Sequence, residues 1–447
     1  MRLRRQAAAP AVDVIPSVPG MISSGRPSIR AAQPHPRRIA FFGNFGTQNL
    51  GNEYTLAAIL ANARRRMPDA ELTCICTDPD DVTARHGVTA ISMSYRYSSA
   101  FIAAARRMSG SRVIRAMRRL FVRIPRELAE LVRAFRALRG VTTLVMTGTG
   151  MLSDVGIGPF DLHWEILKWS ALAKLRGARV VFASVGAGPI ASRTSRWIVK
   201  RALALADYRS YRDAWSRSYL ETIGFDAAHD HVFPDLAFSL PPEVRAARSG
   251  PRRVVGVGLM DYYGTRASPR VGEEAYLAYV SKVTRFVSWL LERGYDVRLL
   301  IGDVSYDTRS KSDVLRRLRE SGAPPADGRV VAAPITSGEE LLAEIVRSDL
   351  VVPMRFHTAL LALMLKKPVL ALSYHQKCAA LMKSLGLPQY SHDVDREGAE
   401  HLIEQFVELE RNSATFAPFV EARAAECRRA LDEQYGRIFG WPRGAAA

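Results

Sequence analysis

The chain has 447 residues, enough for two or three domains with sizeable hydrophobic cores. Apolar residues make up 48% and charged residues 24%, a balance that is typical of globular proteins and excludes a fully disordered chain. The 63 Lys and Arg residues exceed the 44 Asp and Glu residues by 19. This excess favours acidic partners: a phosphorylated substrate, an anionic membrane surface or nucleic acid.

The cysteines and the amino-terminal residues indicate in which cellular compartment the protein is expected. Four cysteines (Cys74, Cys76, Cys378 and Cys427) are too few and too scattered for a disulfide framework, which favours a reducing environment. No apolar run reaches the roughly 18 residues that a membrane span needs. Residues 1–36 lack the apolar core of a secretory signal and are predicted to form a disordered basic extension. We therefore expect a cytoplasmic protein, with peripheral attachment to the inner face of the plasma membrane as an alternative.

Apolar runs alternate with helical patterns from Arg37 onward. The runs RRIAFFG, AELTCICTD, TTLVMTG, RVVFASVG and YRSYRD are predicted strands, and the segments between them carry helical periodicity. Continuous apolar strands separated by helices indicate a parallel sheet that is covered on both faces. The first such domain is predicted over residues 37–240, with a basic helical insertion at residues 101–140.

A proline- and glycine-rich segment divides the chain. Residues 241–253 hold three prolines and one glycine and are predicted to be a linker. The alternation of strands and helices then resumes, which predicts a second doubly wound domain over residues 254–425. Residues 426–447 are predicted to be a carboxyl-terminal helix and tail. Ligands of such sheets bind at the carboxyl ends of the strands, so the cleft between the two domains is the expected site.

Three glycine-rich turns follow predicted strands of the first domain. They span Gly43 to Gly51, Gly148 to Gly158, and Gly186 to Pro189. The first turn precedes a helix, whose amino-terminal N–H groups can bind an anion or a sugar hydroxyl. It matches neither the dinucleotide fingerprint nor the P-loop. The alternative is a set of tight turns that need glycine for their backbone conformation.

Two segments place basic side chains at strand ends. Arg212 follows a predicted strand and can bind a carboxylate or phosphate in a bidentate contact, or form a structural bridge with Asp213 or Asp235. Arg355 and His357 lie between a strand and a helix amino terminus, where the helix dipole disfavours a cation. A bound anion would resolve that conflict. His357 is a candidate acid or base that titrates near neutral pH, or else a capping or core histidine.

The next predicted strand ends in SYHQK, which places Tyr374 and Lys377 on the same rim; Lys377 is alternatively a solvated side chain. No cluster of His, Asp, Glu or Cys has metal-ligand spacing, so neither a metal nor another cofactor is expected. The basic insertion at 101–140 is either an amphipathic surface that binds an anionic membrane or a helical hairpin with a solvated basic face. Nucleic acid is not an expected partner, because the chain shows no recognised binding module and no interleaved aromatics.

Seven motifs, in order between about residues 40 and 388, resemble those of the polysaccharide pyruvyl transferases. The motifs are GNFGTQNLGNEYTL, GTGMLSDVG, ASVGAGPI, YRSYRDAWSRSYL, FPDLAF, MRFHTALLAL and PVLALSYHQK. The resemblance implies a GT-B-like α/β fold in which two Rossmann-like domains face a cleft. It also implies transfer of an enolpyruvyl unit from phosphoenolpyruvate to a sugar of a cell-surface glycan or lipid-linked acceptor, which forms a ketal.

The resemblance also implies roles for individual residues on the donor side. The basic contacts to phosphoenolpyruvate correspond to Arg212, Arg355 and His357, and Tyr374 and Lys377 are expected to join them. We expect His357 and Arg355 to be catalytic, with His357 donating a proton or assisting the departure of phosphate.

The acceptor sugar is expected against the first domain, near Gly43, Asn44, Asn49 and the loop from Gly150 to Asp154. One departure from the family falls here, where the usual acid after the helix-opening glycine is replaced by Asn52. An amide cannot carry negative charge or act as a base, which transfers that role to Glu53 or weakens the acceptor contact. A milder departure is the phenylalanine in MRFHT, where the family has leucine.

Two alternatives remain at this stage. A glycosyltransferase of the same architecture that uses a nucleotide sugar would need a carboxylate in the second domain to hold the ribose, for which Asp303 or Asp307 would serve. A non-catalytic relative that binds glycan or membrane would have lost activity through Asn52.

Overall fold

The computed structural model describes residues 37–47, 49–94, 124–154, 156–240, 252–264, 269–303, 307–321, 328–374 and 376–440. The predicted extension at 1–36, residues 101–123 of the predicted insertion and residues 241–251 of the predicted linker lie outside these ranges.

A seven-stranded sheet forms the first half of the fold. All neighbouring strands pair in parallel, in the order β3-β2-β1-β4-β5-β6-β7. The strands are β1 (Arg38–Phe42), β2 (Glu71–Cys76), β3 (Thr89–Ser92), β4 (Val141–Thr147), β5 (Arg179–Val185), β6 (Tyr208–Tyr211) and β7 (His231–Val232). The last of these, at the edge, is too short to give a recognisable sequence pattern.

Helices cover both faces of this sheet. They are α1 (Leu50–Arg66), α2 (Pro79–His86), α3 (Ile124–Ala137), α4 (Leu162–Leu175), α5 (Arg193–Ala204) and α6 (Ala214–Thr222), followed by a 3₁₀ turn at Leu236–Ser239. Alternate residues of β1 belong to separate cores: Phe41 packs in the core that contains α1 and α2, and Phe42 in the core that contains α3, α4 and α5. Because successive strand side chains point to opposite faces, these two groups of helices lie on opposite sides of the sheet.

The second half repeats this plan with a smaller sheet. Four parallel strands have the order β10-β9-β8-β11, and a parallel pair, β12 and β13, continues from β11 through a hydrogen bond from Leu370 N to Val351 O. The strands are β8 (Val254–Leu259), β9 (Asp296–Ile301), β10 (Val330–Val331), β11 (Leu350–Val352), β12 (Ala371–Ser373) and β13 (Ser391–Asp393). The helices are α7 (Pro269–Glu292), α8 (Thr308–Glu320), α9 (Gly338–Val346), α10 (Phe356–Met364), α11 (Gln376–Ser384), α12 (Ala399–Arg411) and α13 (Ser413–Phe439), with a 3₁₀ turn at Pro388–Tyr390.

The last helix returns to the first half. Gln434 of α13 is fully buried, accepts a hydrogen bond from Ser184 Oγ (3.0 Å) and donates one to Ser210 Oγ (2.6 Å). Helix α13 is continuous through the boundary predicted between residues 425 and 426, and Pro418 lies inside it. Proline removes a backbone donor and usually interrupts a helix, so the sequence pattern does not reveal the full length of α13.

The α/β class with parallel, helix-covered sheets is therefore confirmed. Among the helices in the described ranges, none combines the length and the apolar composition needed to cross a bilayer.

Candidate active site

The carboxyl end of β6 positions the first basic residue. Asp213 caps helix α6, where its Oδ1 accepts a hydrogen bond from Ser216 N at 2.6 Å. Arg212 precedes this cap and is only 7% exposed. Its Nη1 lies 3.4 Å from Oδ2 of Asp235, and its Nε lies 3.6 Å from Oδ2 of Asp213. The structural bridge that the sequence allowed is therefore present, and it fixes the guanidinium.

Arg212 also contacts the second half. Its Cζ lies 4.1 Å from the ring centroid of Phe356, the first residue of α10, in cation–π geometry. The guanidinium passes close to the third glycine turn, since a β-carbon added at Gly186 would lie 2.7 Å from its Nε. A side chain at position 186 would therefore displace Arg212. Sequence reasoning did not find the contact to Phe356, because the two residues come from different halves.

Lys377 reaches the same place from the second half. A β-carbon added at Gly150 would lie 3.3 Å from Lys377 Nζ and 3.9 Å from Arg212 Nη2. Gly150, predicted on the acceptor side, thus adjoins two of the predicted donor cations. Burial and the charge of Arg212 lower the pKa of Lys377 to about 8. The solvated alternative for Lys377 is therefore wrong.

His357 lies where the two halves meet. A β-carbon added at Gly51, in the first turn of α1, would lie 1.9 Å from the Cγ and Nδ1 of His357. The imidazole therefore packs directly on the backbone of α1, which requires glycine at that position. Nε2 of His357 is closed off from solvent and has no hydrogen-bond partner among the described residues.

The environment of His357 is strongly electropositive. Burial, together with the charges of Arg212, Lys377 and Arg355, lowers the pKa of His357 to about 3. The expectation that this histidine titrates near neutral pH is therefore wrong, and the imidazole is neutral at pH 7. A neutral imidazole accepts a proton before it can donate one.

Arg355 already has an anionic partner in the protein. Its Nε and Nη2 donate to the two carboxylate oxygens of Asp307, at 3.0 and 2.5 Å. Asp307 is fully buried and also accepts from Asp303 N. Asp307 therefore supplies negative charge at this helix start, a partner that was not foreseen from the sequence, where that role was assigned to a bound anion. Because both oxygens of Asp307 are occupied, it is also a poor candidate for the ribose contact of the glycosyltransferase alternative.

Two further predicted residues lie at the junction. Nδ2 of Asn49 is 3.4 Å from Oδ2 of Asp303, and the two residues form an isolated antiparallel bridge between the halves. Tyr374 packs against Tyr262, with ring centroids 5.3 Å apart. Burial raises the pKa of Tyr374 to about 12, so its hydroxyl stays protonated at neutral pH.

The first glycine turn is held by its own polar side chains. Oε1 of Glu53 accepts from Gly46 N at 2.8 Å, and Oε2 lies 3.1 Å from His86 Nε2. Nδ2 of Asn52 donates to the carbonyl of Asn44 at 3.1 Å, a bond that a carboxylate could not donate. Glu53 therefore stabilises the turn, and the structure gives Asn52 a role that the usual acid could not fill.

The other residues predicted to bind the acceptor also contact neighbouring groups of the protein. The carboxylate of Asp154 accepts from Ala191 N (3.0 Å) and Ser192 N (2.8 Å), just before α5. Oδ1 of Asn44 accepts from Thr77 Oγ1 at 2.6 Å. Gly43 packs against the ring of Phe45, which an added β-carbon would approach to 2.4 Å. The structure brings Gly150 to a group of basic side chains, Arg212, Arg355, His357 and Lys377, which we call the basic cluster. It places the carboxylate of Asp154 on the backbone N–H groups that precede α5.

A cavity of about 290 Å³ is lined by Arg212 and Phe356 together with mainly apolar side chains, among them Phe238, Leu381 and Cys427. Lys377 and His357 do not line it, so the cavity adjoins the basic cluster only at Arg212.

Comparisons with known structures identify the fold. The fold is similar to that of Anabaena Alr3699/HepE in complex with UDP (TM-score 0.52, 13% identity, covering 90% of this chain and 100% of that one). It is also similar to a putative UDP-N-acetylglucosamine 2-epimerase from Listeria monocytogenes (TM-score 0.56, 13% identity, covering 91% of this chain and 98% of that one). It is similar as well to a glycosyltransferase from Rickettsia africae, with a TM-score of 0.55 and 11% identity over 90% of this chain and 99% of that one. The protein therefore has a GT-B-like fold, as the sequence predicted.

The sequence itself specifies the family. The family model described as polysaccharide pyruvyl transferase matches residues 49–376, which is most of the chain and includes nearly all of the basic cluster. The chain belongs to the polysaccharide pyruvyl transferase family, which confirms the resemblance of its motifs.

The contact between Gly51 and His357 gives a direct test of the described junction. We expect Gly51→Ala to lower the free energy of unfolding by about 1–3 kcal/mol, because the added methyl group overlaps the imidazole and must displace it. Urea denaturation measures this change. Gly436→Ala in α13 is the matched control, since an added β-carbon there meets nothing within 4 Å outside its own helix. That control should gain up to about 1 kcal/mol from helix propensity. Equal stability of the two variants would contradict the contact.

Proposed function

We propose that the protein transfers pyruvate from phosphoenolpyruvate to a sugar of a cell-surface glycan or glycolipid, as a ketal. Membership of the pyruvyl transferase family supports a glycan-modifying transferase. The choice of donor rests on one observation: Arg212 and Lys377 meet beside Gly150. Their charges act on each other and, with that of Arg355, lower the pKa of His357.

Phosphoenolpyruvate suits this cluster for electrostatic reasons. It carries a carboxylate and a phosphate close together, so two or more cations must converge on a small volume to bind it. The cluster draws Arg212 from the first half and Lys377 and Arg355 from the second. Binding the donor would therefore hold both halves on one ligand. Tyr374 would add a neutral hydroxyl donor at the same rim.

The proposed chemistry balances without an oxidant or a metal. A proton adds to C3 of phosphoenolpyruvate while one sugar hydroxyl oxygen bonds to C2, which gives a tetrahedral phosphoketal. A second hydroxyl of the same sugar then bonds to C2 as the C2–O bond to phosphate breaks. The sugar gives up two hydroxyl protons: one enters the new methyl group and the other leaves with phosphate.

His357 is the proposed proton carrier. Its imidazole is neutral at pH 7, and Nε2, which has no hydrogen-bond partner among the described residues, would accept the proton of a sugar hydroxyl once the acceptor displaces the groups that cover it. The negative charge of bound donor would raise its pKa and stabilise the imidazolium. The imidazolium can then pass the proton to C3 or to the departing phosphate. Arg355, fixed by its two hydrogen bonds to Asp307, would stabilise negative charge on the donor without needing to reorganise.

The proposed acceptor site lies along the first half. Gly150 adjoins Lys377 and Arg212, and Gly51, directly after the first glycine turn, adjoins His357. A sugar held along these two segments would present its hydroxyls to the donor. Backbone groups and the amide nitrogen of Asn44 suit neutral hydroxyl groups.

Glu53 and Asp154 are omitted from the side chains proposed to contact the sugar, because both oxygens of each carboxylate have internal partners. Asn49 is omitted for the same reason, since its amide pairs with Asp303 and with Asn52 N.

The role of His357 is tested by substitution. We expect His357→Gln to reduce phosphate release from phosphoenolpyruvate about 100-fold or more, because glutamine cannot carry the proton. The assay measures phosphate with a panel of free and lipid-linked oligosaccharides, and mass spectrometry identifies the pyruvate ketal. His401→Gln, at a partly exposed position on α12, should leave the rate unchanged. Turnover of His357→Gln at the wild-type rate would remove His357 from the mechanism.

The pKa of Lys377 predicts how donor binding depends on pH. The group is charged below its pKa of about 8 and loses its proton as the pH rises, so affinity for phosphoenolpyruvate should fall on the alkaline side. Between pH 7.5 and 9.5 the charged fraction of Lys377 drops about 25-fold, and we expect a similar loss of affinity by isothermal titration calorimetry. The donor's phosphate is already almost fully ionised over this range.

Two variants serve to assign this titration. Lys377→Met should bind weakly with a nearly flat pH profile. Lys366→Met, at an exposed position that pairs with Glu421, should keep the wild-type profile. A wild-type affinity that does not change between pH 7.5 and 9.5 would show that Lys377 does not contact the donor.

A further inference from the structure

One helical layer carries the most exposed apolar side chains of the described structure. Four large apolar residues in the described ranges are more than half exposed, and all four lie in α3, α4, α5 or the turn before α4. They are Leu128 (57%), Phe160 (58%), Leu175 (75%) and Trp197 (53%). Isolated exposed apolar residues need no explanation, but their confinement to one layer indicates an interaction surface.

Three of these residues lie at the cleft end of the first half. Helices α4 and α5 follow β4 and β5, so they begin at the carboxyl end of the sheet, where the basic cluster is. Helix α3 leads into β4 and therefore also has its first turns at that end. Leu128, Phe160 and Trp197 all belong to these first turns or precede them. Leu175 ends α4 at the opposite edge.

The same surface is basic. Exposed arginines accompany the apolar residues along α3 and α5. Arg126 and Arg193 lie in the first turns, at the cleft end, and Arg136 and Arg201 lie in the last turns, so the basic surface extends along the length of both helices. The two acidic residues of α3 have partners: Glu127 accepts from Trp164 Nε1 at 2.8 Å, and Glu130 pairs with Arg133 at 2.6 Å. Helix α5 contains no acidic residue. Asp161, next to Phe160, is an exposed carboxylate on this face and accepts a hydrogen bond from Gly158 N. The four arginines outnumber it, so the face combines large apolar side chains with a local excess of positive charge.

We propose that this face, defined by Leu128, Phe160 and Trp197 with the four arginines, docks on an anionic bilayer. Aliphatic and aromatic side chains of this kind insert at the headgroup level, and Trp is well suited to it because its ring is apolar and its N–H is polar. The arginines lie over anionic headgroups, each contributing about fivefold to the partition coefficient. The cleft then opens beside the membrane surface, within reach of a lipid-linked sugar.

The charge distribution disfavours a second copy of this chain as the occupant. In a two-fold dimer the same patch would face itself, which would bring the arginines of both copies together. A bilayer with anionic lipids offers the complementary charge. Binding to it does not depend on the proposed reaction.

Vesicle sedimentation of the full chain tests the proposal. We expect the protein to sediment with phosphatidylglycerol-containing phosphatidylcholine vesicles and to stay in the supernatant with pure phosphatidylcholine. Leu128→Ser/Trp197→Ser should weaken binding about tenfold, and Arg193→Glu/Arg201→Glu should weaken it roughly 25-fold or more. The matched controls are Val271→Ser/Leu277→Ser on α7 and Arg396→Glu/Arg429→Glu, all at exposed positions elsewhere.

Each result of this experiment either supports membrane docking through this face or overturns it. Controls that bind like wild type, with both test pairs weakened and all melting temperatures alike, would support it. Failure of the wild type to bind anionic vesicles, or equal binding by test and control pairs, would overturn it. So would light scattering that shows a wild-type dimer converted to a monomer by Leu128→Ser/Trp197→Ser. Phosphate release with a water-soluble acceptor should be unchanged in the test pairs, which keeps membrane docking distinct from catalysis.

Discussion

The imidazole of His357 rests on the backbone of Gly51, and the two halves of the protein meet at that contact. Each residue lies in the first turn of a helix that follows a strand of its own sheet. The contact therefore joins the carboxyl ends of two parallel sheets, where such folds bind their ligands. Glycine is required because any β-carbon would occupy the position of the ring. The geometry of the site thus depends on one small residue in one half and one ring in the other.

Positive charge is concentrated around this contact, and nearby carboxylates of the protein neutralise only part of it. Asp307 binds Arg355 and Asp235 binds Arg212, so both guanidinium groups are held in fixed positions. Burial and mutual repulsion lower the pKa values of Lys377 and His357. An anion that enters the cluster relieves this repulsion and needs little rearrangement of the arginines. Under the proposed function, pre-organised charge of this kind favours the small, doubly anionic donor over a neutral sugar.

The alternation of apolar strands and helices was sufficient to predict the two parallel sheets, and the ordered motifs were sufficient to predict the family. The glycine turns were correctly related to the cleft, since Gly51, Gly150 and Gly186 all adjoin side chains of the basic cluster. The partner of Arg355 was not predicted, because Asp307 lies 48 residues away and the pairing depends on how two loops of the second sheet meet. The path of α13 back to the first half was missed for a similar reason.

Local sequence was least informative about polar side chains at turns. Glu53 and Asp154 have the chemistry of ligand-binding groups, yet their carboxylates accept backbone hydrogen bonds within the first half. Whether a carboxylate faces a ligand or caps a turn depends on the orientation of a few backbone N–H groups, which residue type and spacing do not encode. Asn52 shows the converse, because its amide makes a bond to Asn44 that the family's usual acid could not donate.

Isothermal titration calorimetry of the wild-type protein with phosphoenolpyruvate, inorganic phosphate, pyruvate and UDP-N-acetylglucosamine tests the central claim most directly. A cluster built for two adjacent anionic groups should bind phosphoenolpyruvate more tightly than either phosphate or pyruvate, and Arg212→Met should abolish that advantage. Saturable binding of UDP-N-acetylglucosamine with no detectable binding of phosphoenolpyruvate would contradict the account.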